Sequence, residues 1–127
     1  MATGVSAQTL LMEKLFEELD FRATPLGDLI LRRRRMVMLD DLIVYEVVLG
    51  NGYLMSSLFH EVEEALAELG LAATVGGGLD VVVGGLGLGY TAVAALKDAR
   101  VAELRVVETM VAVIEWHQKE MGPSARR

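Results

Sequence analysis

The first apolar pattern in the chain has helical spacing. Leu11, Leu15 and Leu19 recur every four residues. Spacings of three and four are typical of an amphipathic helix, because they place apolar side chains on one face. The pattern therefore predicts a helix over residues 6–20, and residues 1–20 form the first segment of the predicted organisation.

The next pattern, rich in β-branched and aromatic residues, predicts strands. Residues 42–49 have the sequence Leu-Ile-Val-Tyr-Glu-Val-Val-Leu, which is typical of a strand. Gly50-Asn51-Gly52 supplies a hairpin turn, because Asn and Gly tolerate positive φ, and Tyr53-Leu54-Met55 begins the return strand. Thr24-Pro25-Leu26-Gly27 is a second turn signal. We therefore predict a small antiparallel unit over residues 21–56.

Helical spacing returns at residues 57–69, with Ser57 as the expected N-cap and Gly70 as the terminator. The apolar face of this helix consists of Leu58, Val62, Ala65, Leu66 and Leu69. The glycine-rich stretch 74–78 then has the composition of a linker. We group the hairpins, this helix and the linker as a second segment, residues 21–78.

From residue 79 onward, strand and helix patterns alternate. The expected elements are a strand over Leu79–Val83, a loop over Gly84–Gly89, a helix over 91–98, a strand over 103–107 and a helix over 109–121. This βαβα order implies a parallel sheet with crossover helices. The third segment is residues 79–127, and the predicted fold class is α/β.

Composition narrows the function classes. The chain has 127 residues and a formal net charge of −6, whereas nucleic-acid-binding domains usually carry a basic surface. A hydrophobic content of 53% excludes a disordered chain, and the absence of Cys excludes disulfide and thiolate-metal sites. We expect neither nucleic acid nor a metal as a partner.

A membrane span is the main alternative for the second half, since Asp80 is the only charge between Glu68 and Lys97. A carboxylate at the bilayer centre costs at least about 2.5–3.5 kcal/mol. A buried strand, a glycine loop and a helix explain the same residues without that cost. The N-terminus also lacks the order of regions of a signal peptide, so we expect a cytoplasmic protein without a membrane partner.

The glycine loop carries the strongest functional signal. A hydrophobic strand enters Gly84-Gly85-Leu86-Gly87-Leu88-Gly89, which opens a helix, and the next strand ends at Glu108. Glycines allow a tight turn and the close approach of a ligand. A carboxylate at the end of the second strand can accept hydrogen bonds from both ribose hydroxyls of an adenosine group. The candidate binding residues are Gly85, Gly87, Gly89 and Glu108.

The identity of the nucleoside stays open at this point. The strict dinucleotide pattern G-x-G-x-x-G fails, because Tyr90 occupies its last position when it starts at Gly85. A relaxed form, Gly87, Gly89 and Ala92, keeps a nicotinamide-dependent oxidoreductase as an alternative. That match begins later after the strand than a tight first turn requires.

The glycine loop together with Glu108 resembles the first two motifs of the S-adenosylmethionine-dependent methyltransferase superfamily. The hairpin unit and Phe59-His60-Glu61 at the start of a helix resemble its spermidine synthase (polyamine aminopropyltransferase) branch. The resemblance covers roughly residues 20–122. It implies a small N-terminal antiparallel β unit with helices, followed by the first βαβα half of a Rossmann-like methyltransferase fold. The implied ligand is S-adenosylmethionine or its decarboxylated form, with a polyamine as acceptor.

The sequence departs from this branch at three places. Phe59 replaces the usual tyrosine, and Gly87 stands where the family's loop usually carries an aspartate. The strand that precedes the family's catalytic aspartate has no counterpart here, so the catalytic residue is unknown. We expect a fragment or a degenerate member, with aminopropyl transfer only if the missing half is supplied. A methyltransferase and a non-catalytic, homo-oligomerising domain are the alternatives.

Three other features suggest chemistry. In a strand only two of Arg32–Arg35 share a face, so a solvated edge strand, whose charges discourage pairing with another strand, is the favoured interpretation over a nucleic-acid phosphate site. His60 and His117 have no ligand-spaced partner and are expected to be ordinary histidines. Trp116 is expected to pack in a core, while core packing and ligand contact are equal alternatives for Tyr90.

Overall fold

The protein is a mixed α/β chain with two compact units. The computed structural model describes residues 15–123. Contacts between residues divide the chain after Leu58 into a first unit, Met1–Leu58, and a second unit, Phe59–Arg127. The two units are built from separate sheets, which explains the division.

The first unit contains a four-stranded antiparallel sheet. Its strands, in both chain and spatial order, are β1 (Phe16–Thr24), β2 (Gly27–Met36), β3 (Leu42–Leu49) and β4 (Gly52–Ser56). A single 3-10 turn, Val37–Leu39, lies between β2 and β3. The predicted hairpin unit is confirmed, and both predicted turns lie at strand connections.

The predicted N-terminal helix is wrong over residues 16–20, which belong to β1. Residues 1–14 of that prediction lie outside the described part of the chain. The strand pairs with β2 from Phe16 opposite Arg34 to Thr24 opposite Gly27, with a register shift between Glu18 and Asp20. The side chains of Glu17 and Arg33 form an ion pair across the two strands. Pairing with a neighbouring strand has thus overridden a weak local helix preference.

The first sheet buries a carboxylate among apolar side chains. Leu29, Leu31, Val44 and Val47 are at most 1% exposed. Glu46 is 3% exposed, and its Oε1 lies 3.4 Å from Nε of Arg32 and 2.9 Å from Nε of Arg34. Alternation along β2 therefore places these two arginines on one face, where both compensate Glu46. The predicted edge strand is wrong, because β2 pairs with β1 on one side and with β3 on the other.

The second unit alternates helices and strands around a two-stranded parallel sheet. Its elements are α1 (Glu61–Ala72), β5 (Leu79–Gly84), α2 (Tyr90–Leu96), β6 (Val101–Val107) and α3 (Val111–Gln118). The two strands pair in parallel from Leu79 opposite Val101 to Gly84 opposite Val107. The predicted βαβα order is confirmed, with a shift of a few residues at the helix ends.

Helix α1 differs from its predicted bounds and neighbours. Ser57 does not cap it, because the Ser57 hydroxyl accepts a hydrogen bond from the Tyr45 amide of the first sheet at 2.8 Å. Gly70 lies within the helix, which continues to Ala72. The helix packs mainly on α2, so it belongs with the second sheet and not with the hairpins.

The apolar face that the sequence predicts for α1 is largely exposed. Val62, Leu66 and Leu69 are 81%, 68% and 71% exposed. The helix instead buries Ala67 and Leu71, which form a small core with Ala94 and Ala95 of α2. Small side chains allow the two helices to approach closely, and this approach decides which face turns inward. A stripe of large apolar side chains is consequently left uncovered within the described chain.

Arg100 fixes the C-terminal end of α1 to the start of β6. Its guanidinium donates to the carbonyl oxygens of Leu71 and Thr74, both at 2.7 Å. Asp98 orients the guanidinium through a second pair of contacts at 2.8 and 3.1 Å. Hydrogen bonds from Arg100 lower the pKa of Asp98 to about 2. This cation therefore connects the last turn of α1 and the residues that follow it to the start of β6.

Candidate functional site

The glycine loop between β5 and α2 has a backbone that favours glycine. Gly85, Gly87 and Gly89 have φ of 92°, 53° and 90°, a region that side chains with a Cβ rarely adopt. Gly85 continues the sheet by donating its amide to the Val107 carbonyl at 2.8 Å. The loop closes where the Gly89 amide donates to the Leu86 carbonyl at 2.9 Å. These conformations explain why three glycines alternate in the sequence.

Glu108 connects this loop to the end of β6. Its Oε1 accepts a hydrogen bond from the Leu86 amide at 2.9 Å, and its Oε2 accepts one from the Met110 amide at 3.0 Å. The structure thus brings Glu108 together with the glycine loop, across 22 residues of sequence. The sequence pattern predicted that Glu108 lies near the loop. It did not predict that the carboxylate accepts a hydrogen bond from an amide of the loop itself.

The environment of Glu108 keeps the carboxylate ionised. Burial alone would raise its pKa, but hydrogen bonds from the amides of Met110, Leu86, Gly87 and Thr109 outweigh burial and lower the pKa below its ordinary value. Amide donors stabilise the charged form of a carboxylate. The loop therefore presents a fixed negative charge at the carboxyl ends of the two strands.

We expect Glu108 to make the stability of the protein dependent on acid pH. Because its pKa is lower in the folded state, the carboxylate contributes stability above its unfolded pKa of about 4.3, and this contribution is lost as the pH falls through the folded pKa. Urea unfolding of the wild type and of Glu108→Gln should therefore differ most near neutral pH. A difference that grows toward acid pH would contradict this assignment.

Helix α3 supports the loop from the other side. Nε2 of His117 lies 2.7 Å from the Gly87 carbonyl oxygen. Because a carbonyl only accepts, this hydrogen bond requires a proton on Nε2. Trp116 beside it is 2% exposed, as predicted. The contact of His117 has no signal in the sequence, since 30 residues separate it from Gly87.

The start of α2 carries a stacked pair of rings. The rings of His60 and Tyr90 lie 4.2 Å apart at an interplanar angle of 8°. Tyr90 is 7% exposed, so core packing is the better of the two interpretations that the sequence left open. The Thr91 hydroxyl donates to the Glu63 carbonyl at 2.9 Å. These contacts fix the residues around Phe59-His60-Glu61 against the helix that follows the glycine loop.

Adjacent glycines of the loop provide a matched mutational test of backbone strain. Replacing Gly85 with alanine should reduce the free energy of unfolding by about 1–2 kcal/mol, because φ is positive there. A Cβ at either Gly84 or Gly85 meets no heavy atom within 4 Å, so no clash contributes. Gly84 lacks a positive φ, and Gly84→Ala should change the free energy by less than about 0.5 kcal/mol. Equal effects in urea unfolding would show that the loop conformation is not strained.

A cavity of the second unit lies beside this loop, not in it. It has a volume of about 430 Å³ and follows β5 from Leu79 to Gly84 along α1. Asp80 lines this cavity, whereas Glu108 and the loop beyond Gly84 do not. The candidate nucleoside site and the cavity are therefore separate features.

Residues 15–123 contain no cluster of three or more potential metal ligands from His, Asp or Glu. Among the described helices, none has both the length and the apolar character that crossing a membrane requires.

Comparison with known proteins adds no relative. No protein-family model matches the chain, and neither a curated protein nor a solved structure matches it.

Proposed function

We propose that the second unit binds the adenosine part of S-adenosylmethionine or of its decarboxylated form. The glycine loop would contact the ligand through its backbone, and Glu108 would accept hydrogen bonds from the ribose hydroxyls. One observation carries this proposal. An ionised carboxylate at the end of β6 lies within hydrogen-bond distance of the Leu86 amide in the loop that follows β5.

The Glu108 carboxylate is already held by backbone amides. The Leu86 and Met110 amides donate to separate oxygens at 2.9 and 3.0 Å, and the Gly87 and Thr109 amides also stabilise its charge. A carboxylate has about four lone-pair positions, so a ribose hydroxyl would share them with these amides. The amides also fix the carboxylate before the ligand arrives, which reduces the entropy lost on binding.

The loop offers space for close approach of a ligand. An added Cβ at Gly84 or Gly85 would meet no heavy atom within 4 Å. Because α2 has only seven residues, we assign no separate binding role to its N-terminus. The support for the proposal consists of the open loop backbone and the carboxylate.

The reaction class follows from the ligand and not from a catalytic residue of this unit. The sulfonium of decarboxylated S-adenosylmethionine activates the aminopropyl carbon next to it. A polyamine nitrogen would attack this carbon, the carbon–sulfur bond would break, and methylthioadenosine would leave. A base would have to remove the amine proton, and we assign that role to no described residue. The resemblance favours aminopropyl transfer in a longer assembly, with methyl transfer as the alternative use of the same adenosine site.

Titration calorimetry with four ligands tests the proposal. We expect heat of binding with S-adenosylmethionine, decarboxylated S-adenosylmethionine and methylthioadenosine, because all three contain the adenosine group. NADH serves as the control, and the fluorescence of buried Trp116, near the loop, provides a second readout. Binding of NADH alone would favour the oxidoreductase alternative. Absence of heat with every ligand, from a sample with cooperative unfolding, would overturn the proposal.

A further inference from the structure

Gly87, in the middle of the glycine loop, is held at both of its backbone polar groups. Its amide stabilises the charged carboxylate of Glu108, and its carbonyl oxygen lies 2.7 Å from Nε2 of His117. Because these contacts direct the N–H and the C=O of one residue, they restrict both of its backbone dihedral angles. Gly87 has φ of 53°, and a glycine without such contacts adopts many conformations. The two contacts therefore select one conformation of the loop.

Both groups that hold Gly87 come from one later segment of the chain. Glu108 directly follows β6, which ends at Val107, and His117 lies in the last turn of α3. The loop itself connects β5 to α2, so its conformation depends on groups that reach it only through the tertiary structure. The placement of the end of α3 is consequently part of the geometry of the loop.

The end of α3 is itself fixed by the residues that follow it. The Trp116 carbonyl accepts a hydrogen bond from the Met121 amide at 2.9 Å, and the His117 carbonyl accepts one from the Glu120 amide at 3.1 Å. The side chain of Trp116 is 2% exposed. The backbone that carries the imidazole is therefore constrained before the ring meets the loop, which reduces the entropy that this contact costs.

The charge of the ring does not explain its contact with the loop. A histidine in the last turn of a helix is commonly stabilised by the helix dipole, which acts on the protonated ring. The Gly87 carbonyl, however, lies outside α3 and 30 residues earlier in the chain. It can accept a hydrogen from Nε2 of the neutral ring as well as of the protonated ring. The contact thus gives His117 a role toward the loop that its place at a helix end does not require.

We propose that His117 is a positioning residue of the candidate nucleoside site, where the hydrogen on Nε2 fixes the Gly87 carbonyl and keeps the glycine loop in the conformation that the ligand meets. This inference rests on the proposed function, because the loop is the one that the ligand would contact. Without the hydrogen bond Gly87 gains conformational freedom, and ligand binding has to restrict it again. Affinity therefore falls although His117 acts only through Gly87.

Titration calorimetry of the full chain with methylthioadenosine measures this effect. His117→Leu should raise the dissociation constant about three- to tenfold, which is the effect of one hydrogen bond. His117→Gln should restore most of the affinity, because its side-chain amide supplies a donor with a reach similar to that of Nε2. Gln118→Leu is the matched control, since Gln118 is the exposed neighbour on the same helix and adjacent helical positions face different directions. Its affinity should equal that of the wild type.

Amide hydrogen exchange tests the role of His117 without any ligand. The Leu86 amide donates to Glu108, and the Gly89 amide closes the loop. In His117→Leu both amides should exchange about three- to tenfold faster than in the wild type, and His117→Gln should slow them again. The Gly85 amide, which donates to β6 in the sheet, is the internal reference. An equal acceleration at Gly85 would indicate a general loss of stability and would contradict the positioning role.

The two measurements separate this inference from the proposed function. A wild type that binds no methylthioadenosine overturns the binding function, whereas faster exchange confined to the loop still shows that His117 fixes it. If the wild type binds, unchanged affinity in His117→Leu, or an equal loss in His117→Gln, overturns the positioning role and leaves the binding function intact. Nitrogen NMR of the wild type needs no variant: a neutral His117 ring with its hydrogen on Nδ1 excludes the bond to Gly87 and overturns the inference.

Discussion

Replacing Glu108 with alanine is expected to weaken binding of S-adenosylmethionine by about 1–3 kcal/mol. The substitution removes the proposed acceptor for the ribose hydroxyls, and it also leaves the Leu86 and Met110 amides without their present partner. A charged acceptor contributes more than a neutral one, because its hydrogen bonds are shorter and stronger. Titration calorimetry at neutral pH, where the carboxylate is ionised, measures the change in dissociation constant.

Two variants separate ligand contact from loop anchoring. Glu108→Gln retains one acceptor oxygen and should recover part of the affinity, while its amide nitrogen cannot accept from a loop N–H. Glu103→Ala is the matched control, because this carboxylate is exposed on the same strand and pairs only with Arg105 in the described structure. Unchanged affinity in Glu108→Ala, or an equal loss in Glu103→Ala, would contradict the role assigned to Glu108.

Replacing Glu46 with alanine is expected to reduce the free energy of unfolding by about 2–4 kcal/mol. The carboxylate is 3% exposed and lies against Arg32 and Arg34. Its removal leaves two cations close together without the negative charge that compensates them. This loss is at the lower end of the range for breaking a buried ion pair, because the side chains of Arg32 and Arg34 are still 22% and 41% exposed. Urea unfolding gives the measurement.

The exposed pair of the second unit serves as the comparison. Glu103 and Arg105 form an ion pair with side chains 53% and 71% exposed, and exposed pairs contribute between zero and about 1 kcal/mol. Glu103→Ala should therefore have a small effect in the same assay. Similar losses for Glu46→Ala and Glu103→Ala would show that burial does not strengthen the contribution of Glu46.

Strands and turns were predicted well because their signals are local. Residues 42–49 form β3 with the predicted bounds, and the glycine turn after them connects β3 to β4. In the second unit the strand at residue 79 and the following glycine loop lie where the pattern placed them. Turn residues and β-branched runs restrict the backbone directly. Contacts with residues distant in sequence therefore had little effect on where these strands and turns lie.

Helices were predicted less well, because their formation and their buried face depend on which surfaces pack against them. The segment from Phe16 has helical spacing, but it satisfies its backbone by pairing with β2. The apolar spacing of α1 was recognised, yet the helix buries Ala67 and Leu71 and exposes Leu66. A hydrophobic pattern shows which residues could be buried. The pattern does not show whether another part of the chain packs on those residues and buries them.

The sequence by itself determined the local framework of this protein. Three alternating glycines permitted the positive φ that the loop adopts, and a parallel strand ending at Glu108 brought an acid near that loop. These features follow from backbone sterics and from the geometry of parallel strands.

The tertiary structure alone decided how these pieces are used. It placed the Leu86 and Met110 amides on Glu108 and so fixed the charge of that carboxylate. It buried Glu46 between two arginines and, among residues 15–123, paired β5 with β6 alone. Each of these outcomes depends on groups far apart in the chain, whose desolvation and hydrogen bonding exist only after the strands have paired.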